Sequence, residues 1–242
     1  MTDEKSTPSR ARRPRPIVAI DGPAGAGKST VAREVAVALG YVLVDTGALY
    51  RAIALGAHLR KTPRDDRHAI ESLAEELVAS GALEMHARAG QTPTLVLDGV
   101  ARTDELRTPD ISQGASVVSR YPGVRAALLE LQRSFGRQGG VVLEGRDIGT
   151  VVFPDAEVKF FLTATDERRA HRRHAELVER GTESRFEDVL REVRERDERD
   201  AARDIAPMRA AEDAVVLDSS ERTIAEVVAV ICDAARQCER GV

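Results

Sequence analysis

Residues 22–29, Gly22-Pro23-Ala24-Gly25-Ala26-Gly27-Lys28-Ser29, fit the pattern G-x-x-x-x-G-K-[ST]. Glycines at this spacing let the backbone curl so that its N–H groups converge on phosphate oxygens. An ammonium at Lys28 reaches the β- and γ-phosphates, and a hydroxyl at Ser29 suits Mg²⁺. The apolar run Ile17-Val18-Ala19-Ile20 precedes the motif, and a helical pattern from Lys28 to Leu39 follows it. Strand, loop and helix in that order are the context the motif needs, so Gly22 to Ser29, with Thr30, form the expected triphosphate site.

Phosphoryl transfer asks little covalent chemistry of a protein; it asks for positioning and positive charge around the transferring group. Arginines on several other loops are the matching signal. Arg51 closes Asp45-Thr46-Gly47-Ala48-Leu49-Tyr50-Arg51, and Arg146 lies just past a strand end in Glu144-Gly145-Arg146-Asp147. Arg168, Arg169, Arg172 and Arg173 crowd the start of one charged helix; Arg196, Arg199 and Arg203 are spaced to share one face of the next. Glu/Arg-rich helices are more often solvated faces, so the lid reading of residues 166–204 rests on their position before the last strand–helix unit.

The elements that must carry these groups follow from periodicity. Strands are expected at 17–20, 42–44, 141–144, 158–162 and 215–217, alternating with helices at 28–39, 48–59, 109–120, 123–135 and 222–237. Alternation of this kind predicts an α/β protein with a mostly parallel sheet covered on both faces. Residues 62–108 break the pattern: a helix over 67–80, then strands at 83–86 and 94–99 around Ala89-Gly90-Gln91, read as an insert on the larger body. Residues 1–16, rich in Ser, Pro and Arg, read as a disordered basic tail.

Composition narrows the classes. The 242 residues carry 36 Lys+Arg against 40 Asp+Glu, with no Trp, five Phe and three Tyr. A mildly acidic body with so few aromatics lacks the footprint of a nucleic-acid binder. No apolar run approaches a membrane span. Cys232 and Cys238 form neither a disulfide framework nor a zinc spacing. None of Lys5, Lys28, Lys61 and Lys159 sits in an Asn-Lys-x-Asp guanine motif. Small-molecule kinases therefore lead; a regulatory ATP-binding protein is the alternative from another class.

Four segments together resemble the bacterial cytidylate kinase family: residues 20–29, residues 45–51, the run Glu144-Gly145-Arg146-Asp147-Ile148-Gly149-Thr150-Val151-Val152-Phe153-Pro154-Asp155-Ala156, and Glu195-Arg196-Asp197-Glu198-Arg199-Asp200. The resemblance implies a nucleoside-monophosphate-kinase fold: a five-stranded parallel sheet flanked by helices, a β-containing acceptor-binding insert near 62–112 and a helical lid near 166–204 within a domain 17–242. It implies transfer of the ATP γ-phosphoryl group to CMP or dCMP with Mg²⁺. It puts cytosine recognition on Ser116, Arg125 and Asp147, the acceptor phosphate on Arg51, Arg146 and Arg203, sugar contacts on Arg196 and Asp200, and Thr46 near the nucleotide. Lys28, Arg146 and Arg203 become the catalytic set, with Arg169, Arg172 and Arg173 as lid arginines. Glu144 stands where many relatives have Asp, which leaves its part in Mg²⁺ or water binding open. The expected partners are these small molecules, with no membrane and no specific nucleic acid, for a cytoplasmic monomer.

Overall fold

The computed structural model describes residues 13–179 and 181–241. Five strands, β1 (Ile17–Asp21), β2 (Val42–Asp45), β6 (Val141–Glu144), β7 (Val158–Thr163) and β8 (Val215–Asp218), form one sheet in the order β2-β6-β1-β7-β8. All four pairings are parallel. β1 and β6 are buried along their whole length, as expected of central strands covered on both faces. Their side chains divide by the two-residue period. Ile17, Ala19, Val141 and Leu143 join the cluster formed with α2 (Thr46–Leu59), α3 (Arg67–Ala79), α4 (Pro109–Val118) and α5 (Pro122–Gly136). Val18, Ile20 and Val142 face α1 (Lys28–Leu39) and α8 (Ile224–Arg240).

Register brings chemistry to one edge. Ile20 pairs with Glu144 and Asp45 with Glu144, so β2 and β6 end level and β1 ends one residue beyond them. The P-loop, the start of α2 and the 145–147 loop leave the sheet side by side. β7 and β8 end on the same edge and deliver α6 (Asp166–Glu179) and the 219–223 loop. This is the crevice outside the carboxyl ends of the strands, where α/β sheets hold ligands.

The segment from 62 to 112 contains α3, a separate antiparallel sheet β3-β4-β5 (Leu83–His86, Thr94–Leu97, Val100–Ala101) and a 3₁₀ turn at Glu105–Arg107. Leu83, Met85, Leu95 and Leu97 turn into the same apolar cluster as the main sheet. The third strand was not expected; it follows a two-residue turn with Asp98 at φ 52° and Gly99 at φ 74°, the positive angles of a type I′ hairpin. The charged stretch folds as α6 and α7 (Phe186–Ala201), which bury Ala170, Leu177, Val189 and Val193 between them.

Residues 1–12 of the expected tail lie outside the described residues. Chain placement begins earlier than Ile17. Arg13 pairs with Asp155 (2.6 Å) and Glu157 (2.9 Å). Arg15 stacks 4.4 Å over the Tyr41 ring and donates to the carbonyls of Leu39 and Gly40 at the end of α1.

Gly136 ends α5 against Phe153, and a Cβ there would stand 2.3 Å from the ring's Cζ. Alanine is favoured over glycine within a helix by about 1 kcal/mol. Phe153 is itself buried, so overpacking of about 1–3 kcal/mol outweighs that gain. Gly136→Ala is expected to lower Tm by several degrees in thermal unfolding, and an unchanged or raised Tm would contradict this packing.

Candidate active site

The first turn of α1 starts at Gly27, in the left-handed region, with no side chain capping it. Its N–H groups are left for an anion, which the helix dipole also favours. Gly22 has no room for a side chain: at φ 143° its Cβ would fall 2.0 Å from the Leu162 carbonyl oxygen. Lys28 is buried and its Nζ donates to the Pro23 carbonyl (2.6 Å) across the loop. Burial, then the nearby Arg146, hold its pKa well below the ordinary lysine value.

A cleft of about 470 Å³ opens along this edge. Ala24, Gly25, Ala26, Gly27, Lys28, Ser29 and Thr30 line it, whereas Gly22 and Pro23, expected with them, do not; the Pro23 carbonyl instead holds Lys28. Thr46, Arg51, Ser116, Arg125, Arg146 and Asp147 also face it, and so do Arg172, Arg173, Arg196, Asp200 and Arg203. Segments more than 150 residues apart thus meet in one cavity.

Most of these arginines have a carboxylate or carbonyl, whereas Arg196 Nε is buried without a hydrogen-bond partner among the described residues. Arg51 Nη2 pairs with Asp45 (2.6 Å), whose other oxygen caps α2 by accepting from the Ala48 N–H. Arg146 Nε donates to Asp200 Oδ2 (3.1 Å), and Arg203 pairs with the other Asp200 oxygen. Arg125 pairs with Asp147, both buried, and donates to the Ser119 carbonyl. Arg172 donates to the Ala26 carbonyl and to Ser219. The crowding bears on the protonation equilibria of these groups. Burial and then Arg146 push Arg196 down to about 10, and burial lowers Arg203 and Arg172 as well. Burial alone would raise Asp200, but Arg146, Arg203 and Arg196 together hold it below the usual carboxylate value. Guanidinium groups that depress one another around a cavity describe a site for anions.

Two expectations need correction. Arg169 does not face the cleft. It is 3% exposed, its guanidinium donates to the carbonyls of Ala164 and Ala24 and pairs with Asp166 and Asp197, and it ties α6 to the P-loop. Arg203 does not share a helix face with Arg196 and Arg199: α7 stops at Ala201, and Arg199 donates to its own helix at Glu195. Ser119 and Ser219 had been given no role. The Ser119 hydroxyl accepts from Arg203 (3.2 Å), and the Ser219 hydroxyl donates to the Ala26 carbonyl (3.2 Å). Ser219 follows the end of β8, so the rule that ligands gather at strand C-termini could have found it.

Glu144 is buried at the end of β6 and accepts from the Ser29 hydroxyl (2.9 Å). Burial, then the neighbouring Asp45, push its carboxyl up to about 7. Among the described residues no group of three or more His, Cys, Asp and Glu could hold a metal ion. A cation beside Ser29 and Glu144 would therefore share its ligands with phosphates.

Comparison with known proteins gives a consistent picture. The family model described as cytidylate kinase matches residues 18–237. A cytidylate kinase of a Geobacter species is 47% identical over 212 residues, covering 88% of this chain and 89% of that protein. One from Desulforamulus reducens is 46% identical over 87% of this chain and 92% of its own length. One from Pseudomonas aeruginosa is 45% identical over 93% and 96%.

A carboxyl that titrates near 7 in the fold and near 4.5 when unfolded binds more protons in the native state between those values. Its ionisation costs stability that is lost as pH rises from about 4.5 through 7. Glu144→Gln imitates the protonated form and still accepts from Ser29. It should raise the Tm of the ligand-free protein at pH 8 and leave it unchanged near pH 4.5; equal Tm values at pH 8 would contradict the buried charge.

Proposed function

The chain belongs to the cytidylate kinase family, and from that premise we propose that it transfers the γ-phosphoryl group of ATP to CMP or dCMP, giving ADP and CDP or dCDP. One observation carries the choice of base. Asp147 and Arg125 form a buried pair lining the cleft, which the Ser116 hydroxyl, buried without a partner among the described residues, also lines. The pair offers an acceptor next to a donor. Cytosine presents the complement, an amino donor at N4 beside the acceptor N3. Uracil would set a carbonyl against the Asp147 carboxylate and leave both oxygens unpaired, a mismatch that buried polar sites reject strongly.

In this reading the P-loop N–H groups and Lys28 hold the ATP phosphates, with Arg172 and Arg173 approaching from α6. Arg51, Arg146 and Arg203 take the acceptor phosphate, Arg196 and Asp200 the sugar, and Thr46, whose hydroxyl donates to the Glu144 carbonyl (2.7 Å), fixes the start of α2 beside them. The CMP phosphate would receive the hydrogen bonds that Arg146 and Arg203 now give Asp200. Lys28 would steady the charge on the transferring group, and phosphate oxygens would favour its charged form over the burial that now opposes it. Transfer then rests on orientation and fixed charge.

Mg²⁺ fits Ser29 and Glu144, since a buried carboxylate raised to about 7 gains from a divalent cation at its side. Bound there with ATP, it would neutralise charge on the β- and γ-phosphates. The segment 62–112 is read as the acceptor-side insert and 166–204 as the lid. Among the described residues no helix is long and apolar enough to cross a membrane. A chain with only two cysteines suits the reducing cytoplasm in which we place this monomer.

A coupled assay across CMP, dCMP, UMP, AMP, GMP and shikimate tests the substrate class. Turnover should be confined largely to the cytidine nucleotides, and a preference for another acceptor would overturn the reading. Lys28→Ala should lower kcat far more than it weakens CMP binding in titration calorimetry; unchanged turnover would remove Lys28 from the chemistry. Asp147→Asn leaves Arg125 without its charge partner, so CMP activity falls. Because the amide can also donate to a uracil carbonyl, the CMP:UMP ratio of kcat/KM should narrow as well. An unaltered ratio would take Asp147 out of base recognition.

A further inference from the structure

Asp21, the last residue of β1, is a buried carboxylate that the roles above do not use. It is 4% exposed, and its two oxygens accept from the Ile148 N–H and the Gly149 N–H, each at 2.8 Å. Burial pushes its carboxyl up to about 6, an effect those two N–H groups partly offset. Among the described residues no ion pair is formed with it: Lys28 Nζ donates to Pro23, and Lys159, whose stem passes Gly149, donates to Pro154 and Asp213. Holding a carboxylate in such surroundings is costly, and an asparagine would supply only one of the two acceptors.

The bonds have a directed effect. The Gly145 N–H donates to the Ile20 carbonyl (3.1 Å). The tripeptide Gly145-Arg146-Asp147 is therefore stapled at both ends to the last two residues of β1. The residue after Asp21 is Gly22, which opens the P-loop and abuts the Leu162 carbonyl. Donor loop and acceptor loop thus share one rigid root. From it Arg146 reaches Asp200 and Asp147 reaches Arg125.

We propose that Asp21 is a positioning residue: its carboxylate fixes Arg146 and Asp147 relative to the P-loop, and so sets the rate of phosphoryl transfer rather than the affinity for either nucleotide. It touches no substrate itself. Each nucleotide would still find its own loop after the staple is cut, but the two reacting groups would no longer be held in register, and a displacement of about 1 Å can cost about 10²-fold in rate. The inference rests on the kinase reading above.

The test uses the full chain and three variants, Asp21→Asn, Gly149→Ala and the double change. Single-turnover transfer from ATP to CMP is followed by rapid quench, Kd for ATP and for CMP by calorimetry, and folding by Tm. Asp21→Asn should slow transfer by about 10- to 100-fold while each Kd moves less than about threefold. Gly149→Ala reaches the staple from the other side, because its Cβ would stand 3.2 Å from Lys159 Cδ and 3.4 Å from Asp21 Oδ2. It should slow transfer in the same way but less, and the double variant should lose less than the product of the two. If Asp21→Asn does not fold, Gly149→Ala decides alone. A lowered Tm with an unchanged transfer rate would make Asp21 structural only and overturn the proposal, as would a loss carried by either Kd. Absence of CMP turnover in the wild type would overturn the kinase reading and this inference with it; normal wild-type turnover with unslowed variants would overturn this inference alone.

Discussion

Lys28, Arg51, Arg146, Arg172, Arg196 and Arg203 all face a single cleft, and their mutual repulsion is the constraint around which the rest is arranged. Unlike charges answer it locally. Asp45 accepts from Arg51, Asp200 from Arg146 and Arg203, and Asp147 from the neighbouring Arg125, while Ser119 and Ser219 accept from arginine N–H groups the carboxylates do not reach. The balance is incomplete, since burial and neighbouring charge still hold Lys28, Arg196 and Arg203 below their ordinary values. A cavity in this state favours ligands that bring negative charge with them.

Only a parallel sheet gathers groups from so many places in the chain without long loops. The strand ends put Asp45 and Glu144 in one row with Asp21 one residue further along β1, and each acts at the end of its own strand. Asp45 caps α2 and holds Arg51, Glu144 receives Ser29, and Asp21 holds the loop behind Arg146 and Asp147. The segments that follow carry the remaining charges, with Arg169 joining α6 to the P-loop and Lys159 joining Asp213, beyond α7, to the sheet. The loops around the cleft are therefore tied together through buried backbone N–H groups and through two cations, Arg169 and Lys159, whose side chains are themselves buried.

Much of this was legible because the signals were local. The P-loop is a fixed spacing between a strand and a helix, and the five buried strands are short apolar runs that end at turn residues. The Asp98-Gly99 turn was present in the letters, but a two-residue strand such as Val100–Ala101 carries no periodicity of its own. Arg169, Arg172 and Arg173 were indistinguishable by type; which of them is consumed by Ala24, Asp166 and Asp197 depends on how α6 docks. The spacing of Arg196, Arg199 and Arg203 assumed a helix that in fact ends between the last two. Asp21 looked like an ordinary strand-to-loop residue, since its partners lie some 127 positions away. The docking of Arg13 and Arg15 was hidden for the same reason: their partners include the Tyr41 ring, Asp155 and Glu157.

On the proposed function, this positive charge holds a phosphate opposite the P-loop. The most direct test is calorimetric titration of the wild-type protein with CMP and with cytidine, which share a base and a sugar but differ in the phosphate. Charge-assisted hydrogen bonds contribute about 1.5–3 kcal/mol each, so CMP should bind at least about 10²-fold more tightly, with its advantage shrinking as salt is raised. Equal affinities for the two at low salt would contradict the account.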